Sequence, residues 1–130
     1  IINSIWSYDL EIKACDLENG DLDYKFPVVS DSRGFTEDVG LTSSSMKEVI
    51  DLAFKIVAMK YSSMEDYPLF LDEFGRTMDE VHLIKSYDLL EEMVETMDTQ
   101  LFVIAHIKTA YARFNNAGIS IISNLNLEKM

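Results

Sequence analysis

The sequence predicts an α/β fold, an N-terminal β-hairpin followed by alternating helices and mostly parallel strands. Three observations predict it. Apolar residues recur at every second position over 5–15 and 22–30. They recur at helical spacing over 46–61 and 79–97. Between and after these helical stretches lie short, wholly apolar runs at 69–71 and 101–105. Period two marks half-buried strands, period 3.6 marks amphipathic helices, and continuous apolar runs between helices imply a parallel sheet covered on both faces.

Taken in order, Trp6, Tyr8, Leu10, Ile12 and Ala14 alternate with Ser7, Asp9, Glu11 and Lys13 to give the first strand. Leu22, Tyr24, Phe26 and Val28 give the second, and Glu18-Asn19-Gly20-Asp21 between them has turn chemistry. Residues 30–42, with Ser30, Asp31, Ser32, Gly34 and Gly40, read as a polar connection. Met46, Val49, Ile50, Ala53, Phe54, Val57, Ala58 and Tyr61 then share a helical stripe, with Ser43 and Ser44 as N-cap candidates. The strand at 69–71 ends on Asp72-Glu73. The helix from about Asp79 to Met97 presents Val81, Ile84, Leu90, Val94 and Met97 inward, and the strand at 101–105 ends on His106. A short helix at 109–116, Gly118 as its C-cap and a last strand at 119–125 complete the chain.

Size and charge bound the rest. The 130 residues make one ordinary domain, 48% hydrophobic and 26% charged, with no apolar run of the roughly 18–20 residues that span a bilayer. The chain opens on Ile1-Ile2-Asn3, with neither a secretory signal nor a methionine, and reads as a processed product or a piece of a longer polypeptide. Cys15 is the only cysteine, so no internal disulfide forms and a cytoplasmic setting is expected. The net charge of −12 opposes contact with a phosphate backbone over most of the surface.

In an open α/β sheet, polar residues at the C-terminal ends of strands are the usual functional positions, and Asp72, Glu73 and His106 occupy them. An apolar strand ending in Asp-Glu has the Walker B pattern, in which the Asp holds Mg²⁺ and the Glu polarises the attacking water. A bland pair of strand-end acids has the same spelling. His106 is placed to donate a hydrogen bond to a γ-phosphate at a neighbouring strand end, or to a local partner in the core. His82, between Glu80 and Lys85, reads as a solvated surface residue. Thr42-Ser43-Ser44-Ser45-Met46 opens a strongly amphipathic helix, where unpaired amides attract anions. It also suits an ordinary cap. Gly75-Arg76-Thr77-Met78-Asp79 is a turn that runs into the next helix.

This order of elements, over roughly residues 40–125, is similar to the C-terminal lobe of ABC-type ATPase heads. Lys47-Glu48-Val49-Ile50-Asp51-Leu52-Ala53-Phe54 looks like the signature helix of the SMC/SbcC branch. That branch comprises the double-strand-break repair ATPases and the large subunit of the T-even phage recombination exonuclease, and the resemblance is nearest to the latter. It implies a single domain over 1–130. Residues 1–40 would be the hairpin and connecting loop, and 41–130 the signature helix, Walker B, D-loop and switch-histidine segments. It implies that Asp72 is the magnesium ligand, Glu73 the catalytic base, His106 the switch histidine and Asp79 the terminal acid of the D-loop. Ser43, with Ser44 and Ser45 beside it, would contact the γ-phosphate of ATP on the opposing head. It further implies an N-terminal lobe, a second copy of the head, a nuclease subunit, and DNA engaged through the full complex. A phage-encoded protein of this kind would act in the host cytoplasm.

Two departures qualify the resemblance. Serines and Met46 stand where the family has Gly-Gly-Gln/Glu, and a serine adds a Cβ and a hydroxyl near the phosphate. No Gly-x-x-x-x-Gly-Lys-[Ser/Thr] occurs, so the chain supplies half a site and binds ATP poorly alone. An unpaired apolar strand edge is expected where the other lobe's strands are lacking. A non-catalytic acidic α/β interaction module is the alternative reading. A small metallohydrolase using Asp72, Glu73 and His106 is a third, with a sparse ligand set.

Overall fold

The computed structural model of the chain describes residues 1–6, 9–13 and 25–105. The Glu18-Asn19-Gly20-Asp21 turn, His106, the helix at 109–116, Gly118 and the strand at 119–125 lie outside the described residues. The described elements are α1 (Ile2–Ile5), β1 (Glu11–Ile12), β2 (Val28–Ser30), β3 (Gly34–Thr36), a 3₁₀ turn (Val39–Leu41), α2 (Ser44–Tyr61), β4 (Leu69–Asp72), α3 (Glu80–Met97) and β5 (Leu101–Ile104).

Strands β1, β2 and β3 form an antiparallel sheet in that order, with Glu11 opposite Val29 and Val29 opposite Phe35. The pairing expected of the first two strands is therefore present, but both are shorter than the alternation suggests. Residues 2–5 coil into one helical turn, and the amide of Leu10 donates to the Asn3 side chain at 2.9 Å instead of to a strand partner. The alternation still marks the buried side, since Trp6 and Leu10 are in the core and Asp9, Glu11 and Lys13 are exposed.

The 30–42 connection is not a loop throughout. It folds back as β3 through a turn in which Gly34 has φ +83°, and Ser30 Oγ accepts from the Arg33 amide at 3.3 Å. Phe35 points into solvent, so β3 carries no buried alternation for a sequence reading to find. Asp38 then fastens the segment: its carboxylate accepts from the amides of Phe26 at 3.0 Å and Gly40 at 2.9 Å. Those amides, Phe26 first, hold the Asp38 carboxyl below its ordinary pKa.

The second half is a β4–α3–β5 unit. Strands β4 and β5 run parallel, with Leu69 opposite Leu101 and Asp72 opposite Ile104. Helix α1 packs on both α2 and α3, and Ile50, Leu52, Leu71, Leu83, Tyr87 and Leu90 are among the core side chains. The predicted stripe holds for the first half of α2, through Met46, Val49, Ile50 and Ala53, and departs in its second half and in α3. In α2 the buried set is Met46, Val49, Ile50, Leu52, Ala53 and Ile56, while Tyr61 is 88% exposed and Phe54 and Val57 lie at the surface. In α3 the set is Leu83, Ser86, Tyr87, Leu90 and Met93, and Val81 is 60% exposed. Each helix has apolar residues on more than one face, so packing partners decide which face is covered.

The sheet differs from expectation as well. Leu69 and Leu71 face the core, but Phe70 is 64% and Phe102 47% exposed, stacked at 4.7 Å on the other face. Among the described residues the apolar runs are therefore covered on one face, not two.

Candidate functional site

The helix α2 starts cleanly because Ser43 caps it. Its Oγ accepts from the Met46 amide at 3.3 Å and its carbonyl accepts from the Lys47 amide at 2.9 Å. Thr42 Oγ1 donates to the Val39 carbonyl at 2.7 Å, which anchors the turn just before the cap. Ser43 Oγ and Ser45 Oγ lie 3.3 Å apart, and Ser43 and Ser44 are exposed. The amides of Ser44 and Ser45 belong to the first helical turn, where no carbonyl of the same helix is available. This end of an 18-residue helix thus offers hydroxyls and amides to solvent.

Asp72 ends β4 on the exposed side of the strand, opposite Ile104, and Glu73 follows in the left-handed region with φ +51°. That conformation is costly for a non-glycine residue and turns the chain sharply away from the sheet. Glu73 pairs with Arg76 at 2.9 Å. Phe74 is buried edge-on against Tyr87, with ring centroids 5.8 Å apart. Gly75, at φ +85°, completes the reversal.

Asp79 caps α3. One carboxylate oxygen accepts from the His82 amide at 2.9 Å, and the other meets the His82 Nδ1 at 2.5 Å. These contacts, the His82 amide first, lower the Asp79 pKa from its ordinary value. His82 is not a solvated surface residue: its side chain is 16% exposed, Asp79 meets its Nδ1, and the Trp6 ring lies against it at a centroid distance of 4.0 Å. Spacing to Glu80 and Lys85 gave no hint of this, since α1 brings Trp6 in from the far end of the chain.

Asp79→Ala should destabilise the chain by about 1 kcal/mol, the usual value of a lost acidic cap, in urea unfolding at neutral pH. A carboxyl depressed on folding stabilises above its ordinary pKa of 3.8, and that contribution is lost as pH falls through the lower folded value. The difference between wild type and variant should therefore shrink in acid.

One side chain of α2 reaches the turn between the strand-end acids and Asp79. Glu48, one and a half turns into α2, accepts from the amides of Gly75 and Thr77 and from the Thr77 hydroxyl. Ser43 is five residues up the same helix, roughly 7 Å along its axis. Helix α2 and the turn that leads from the strand-end acids to the Asp79 cap are thus fastened to each other. His106 lies outside the described residues. Sequence reasoning missed Glu48, Trp6 and His82. Glu48 bonds to residues 27 and 29 positions away, which no local pattern encodes. Burial, with the Glu48 charge adding to it, pushes the Tyr87 phenol up to about 12.

The donor set fits part of a magnesium–nucleotide site. Exposed carboxylates at a strand end suit a hard divalent cation, and free amides with hydroxyls at a helix start suit a terminal phosphate. The amide nest and lysine for a β-phosphate are not encoded. Among the described residues no cluster of three or more His, Cys, Asp and Glu is placed to hold a metal ion by itself. Among the same residues no helix is long and apolar enough to cross a membrane.

No protein-family profile and no curated protein sequence matches the chain. A solved structure does. It belongs to work on ATP-driven dimerisation and DNA-stimulated activation of SMC ATPases, and it superposes with a TM-score of 0.67 at 18% identity. The match covers 92% of this chain and 71% of that one. The chain has the mixed α/β fold of an SMC ATPase head lobe, with an antiparallel hairpin sheet and a parallel pair of strands.

Proposed function

We propose that this chain is the C-terminal lobe of an SMC/SbcC-type ATPase head, a single domain that acts with a phosphate-loop lobe and with a second copy of the head. One observation carries the reading: a serine-capped helix, a parallel strand ending in Asp-Glu and an Asp-capped helix follow one another in a chain that shares the fold of a solved SMC ATPase structure. Residues 1–40 form the hairpin region, and 41–130 hold the signature helix, Walker B, D-loop and switch-histidine segments.

In that head Asp72 would hold Mg²⁺, and Glu73 would accept the proton of the attacking water. Ser43, Ser44 and Ser45 would meet the γ-phosphate bound on the opposing head, with Asp79 closing the D-loop and His106 sensing the same phosphate. Bound MgATP supplies the electrophilic phosphorus and offsets the charge on its oxygens. The protein's own part is to hold the acids and the helix start at a fixed separation and to take up a proton at Glu73. The solved neighbour's ATP-driven dimerisation supports a second head as partner. Its DNA-stimulated activation, with the resemblance to break-repair ATPases, supports end processing alongside a nuclease subunit. With a net charge of −12, DNA would be gripped mainly elsewhere in the complex. A phage-encoded head would work in the host cytoplasm.

Co-expression with the matching phosphate-loop lobe tests this. The purified pair should bind ATP in a magnesium-dependent way in calorimetry, and the chain alone should bind it far more weakly. A folded pair that binds no ATP would reject the ATPase reading in favour of a non-catalytic acidic interaction module.

A further inference from the structure

We infer that Glu48 is a positioning residue, a carboxylate strut that fixes the 73–79 turn to helix α2. The serine-rich start of α2 and the strand-end acids then keep one spacing. Its consequence for turnover rests on the ATPase reading, but its geometry does not. Glu48 Oε1 accepts from the Gly75 amide at 2.5 Å, and Oε2 accepts from the Thr77 amide at 3.3 Å and the Thr77 hydroxyl at 2.5 Å. Both oxygens therefore serve the turn. These partners of Glu48 are backbone and hydroxyl donors, while the cation in the same turn, Arg76, goes to Glu73.

The turn needs such a strut. Glu73 and Gly75 both have positive φ, so its amides point away from any regular ladder. The turn's own backbone bonds are long, 3.4 Å from the Arg76 amide to the Glu73 carbonyl and 3.2 Å from the Met78 amide to the Gly75 carbonyl. Gly75 is buried between Phe74 and Met78, which makes an unsatisfied amide at 75 costly, while Thr77 lies exposed and gains a charged acceptor there. A single carboxylate on α2 answers both amides, so a shift of α2 relative to β4 is transmitted to Gly75, two residues after the Asp-Glu pair.

Two readouts test the strut. In the 130-residue chain, Glu48→Ala should raise amide hydrogen exchange at Gly75 and Thr77 by about tenfold, leaving the Leu90 region of α3 unchanged. Glu48→Gln keeps one acceptor oxygen and should fall between, and Thr77→Val should affect position 77 more than 75. In the complete head, Glu48→Ala should lower kcat on the order of 10- to 100-fold with little change in KM for ATP, and Glu48→Gln should recover part of it. Unchanged exchange at both amides would overturn the strut. Raised exchange with unchanged kcat in an active head would overturn its positioning role. A wild-type head without ATPase activity would count against the ATPase reading alone, and the exchange result would then decide the strut by itself.

Discussion

Glu73→Gln in the complete head should lower ATP hydrolysis by a factor on the order of 10²–10⁴ while nucleotide binding survives. The substitution keeps the size of the side chain and an oxygen for Arg76, which now sits at 2.9 Å from the carboxylate. What it removes is a site of useful basicity. If Glu73 served only its pairing with Arg76, the effect would be that of a surface ion pair, about 0–1 kcal/mol of stability and nothing in turnover. The two outcomes are far apart. Phosphate release under saturating magnesium, together with ATP binding by the same preparation, separates them. Full turnover in a variant that binds ATP would reject Glu73 as the base. The left-handed conformation at Glu73 makes the position unusual for a residue kept only for solubility, because a glycine or asparagine there would be easier to hold.

Much of the scaffold was legible because it is written in local patterns. The cap at Ser43 and the spans of α2, β4, α3 and β5 follow from capping chemistry, helical spacing and apolar runs. What was not legible depends on partners distant in sequence. The covered face of α3 is set by what lies beneath Leu83, Tyr87 and Leu90, so Val81 reads as apolar yet points outward. Strand β3 is held by main-chain bonds to β2 and by Asp38, with little apolar content of its own. The candidate site divides the same way. Asp72, Glu73, Ser43 and Asp79 stand at element ends, where each also suits an ordinary cap or strand end, and only their order along the chain marks them as a set. Glu48 and the Trp6–His82–Asp79 stack exist only once separate elements meet.

Gly75→Ala should destabilise the chain by about 2–5 kcal/mol, a large share of an ordinary domain's 5–15 kcal/mol. A left-handed backbone costs an L-residue roughly 1–2 kcal/mol, and crowding a packed site adds about 1–3 kcal/mol. Both apply at Gly75. Its φ is +85°, and a Cβ built there runs into the Leu83 side chain and touches Tyr87. Leu83 is 5% exposed on the first turns of α3, so it has no open space into which to swing. Gly34 provides the control, since its φ of +83° is nearly the same and nothing lies within 4 Å of its Cβ position. Gly34→Ala should therefore show the backbone part alone, about 1–2 kcal/mol. Any gain from a stiffer unfolded chain is common to both and cancels in the comparison. Urea midpoints of the two variants measure the packing part directly. Equal losses would mean that the turn after Glu73 yields to the added methyl, and that its close approach to α3 is not a fixed feature of the site.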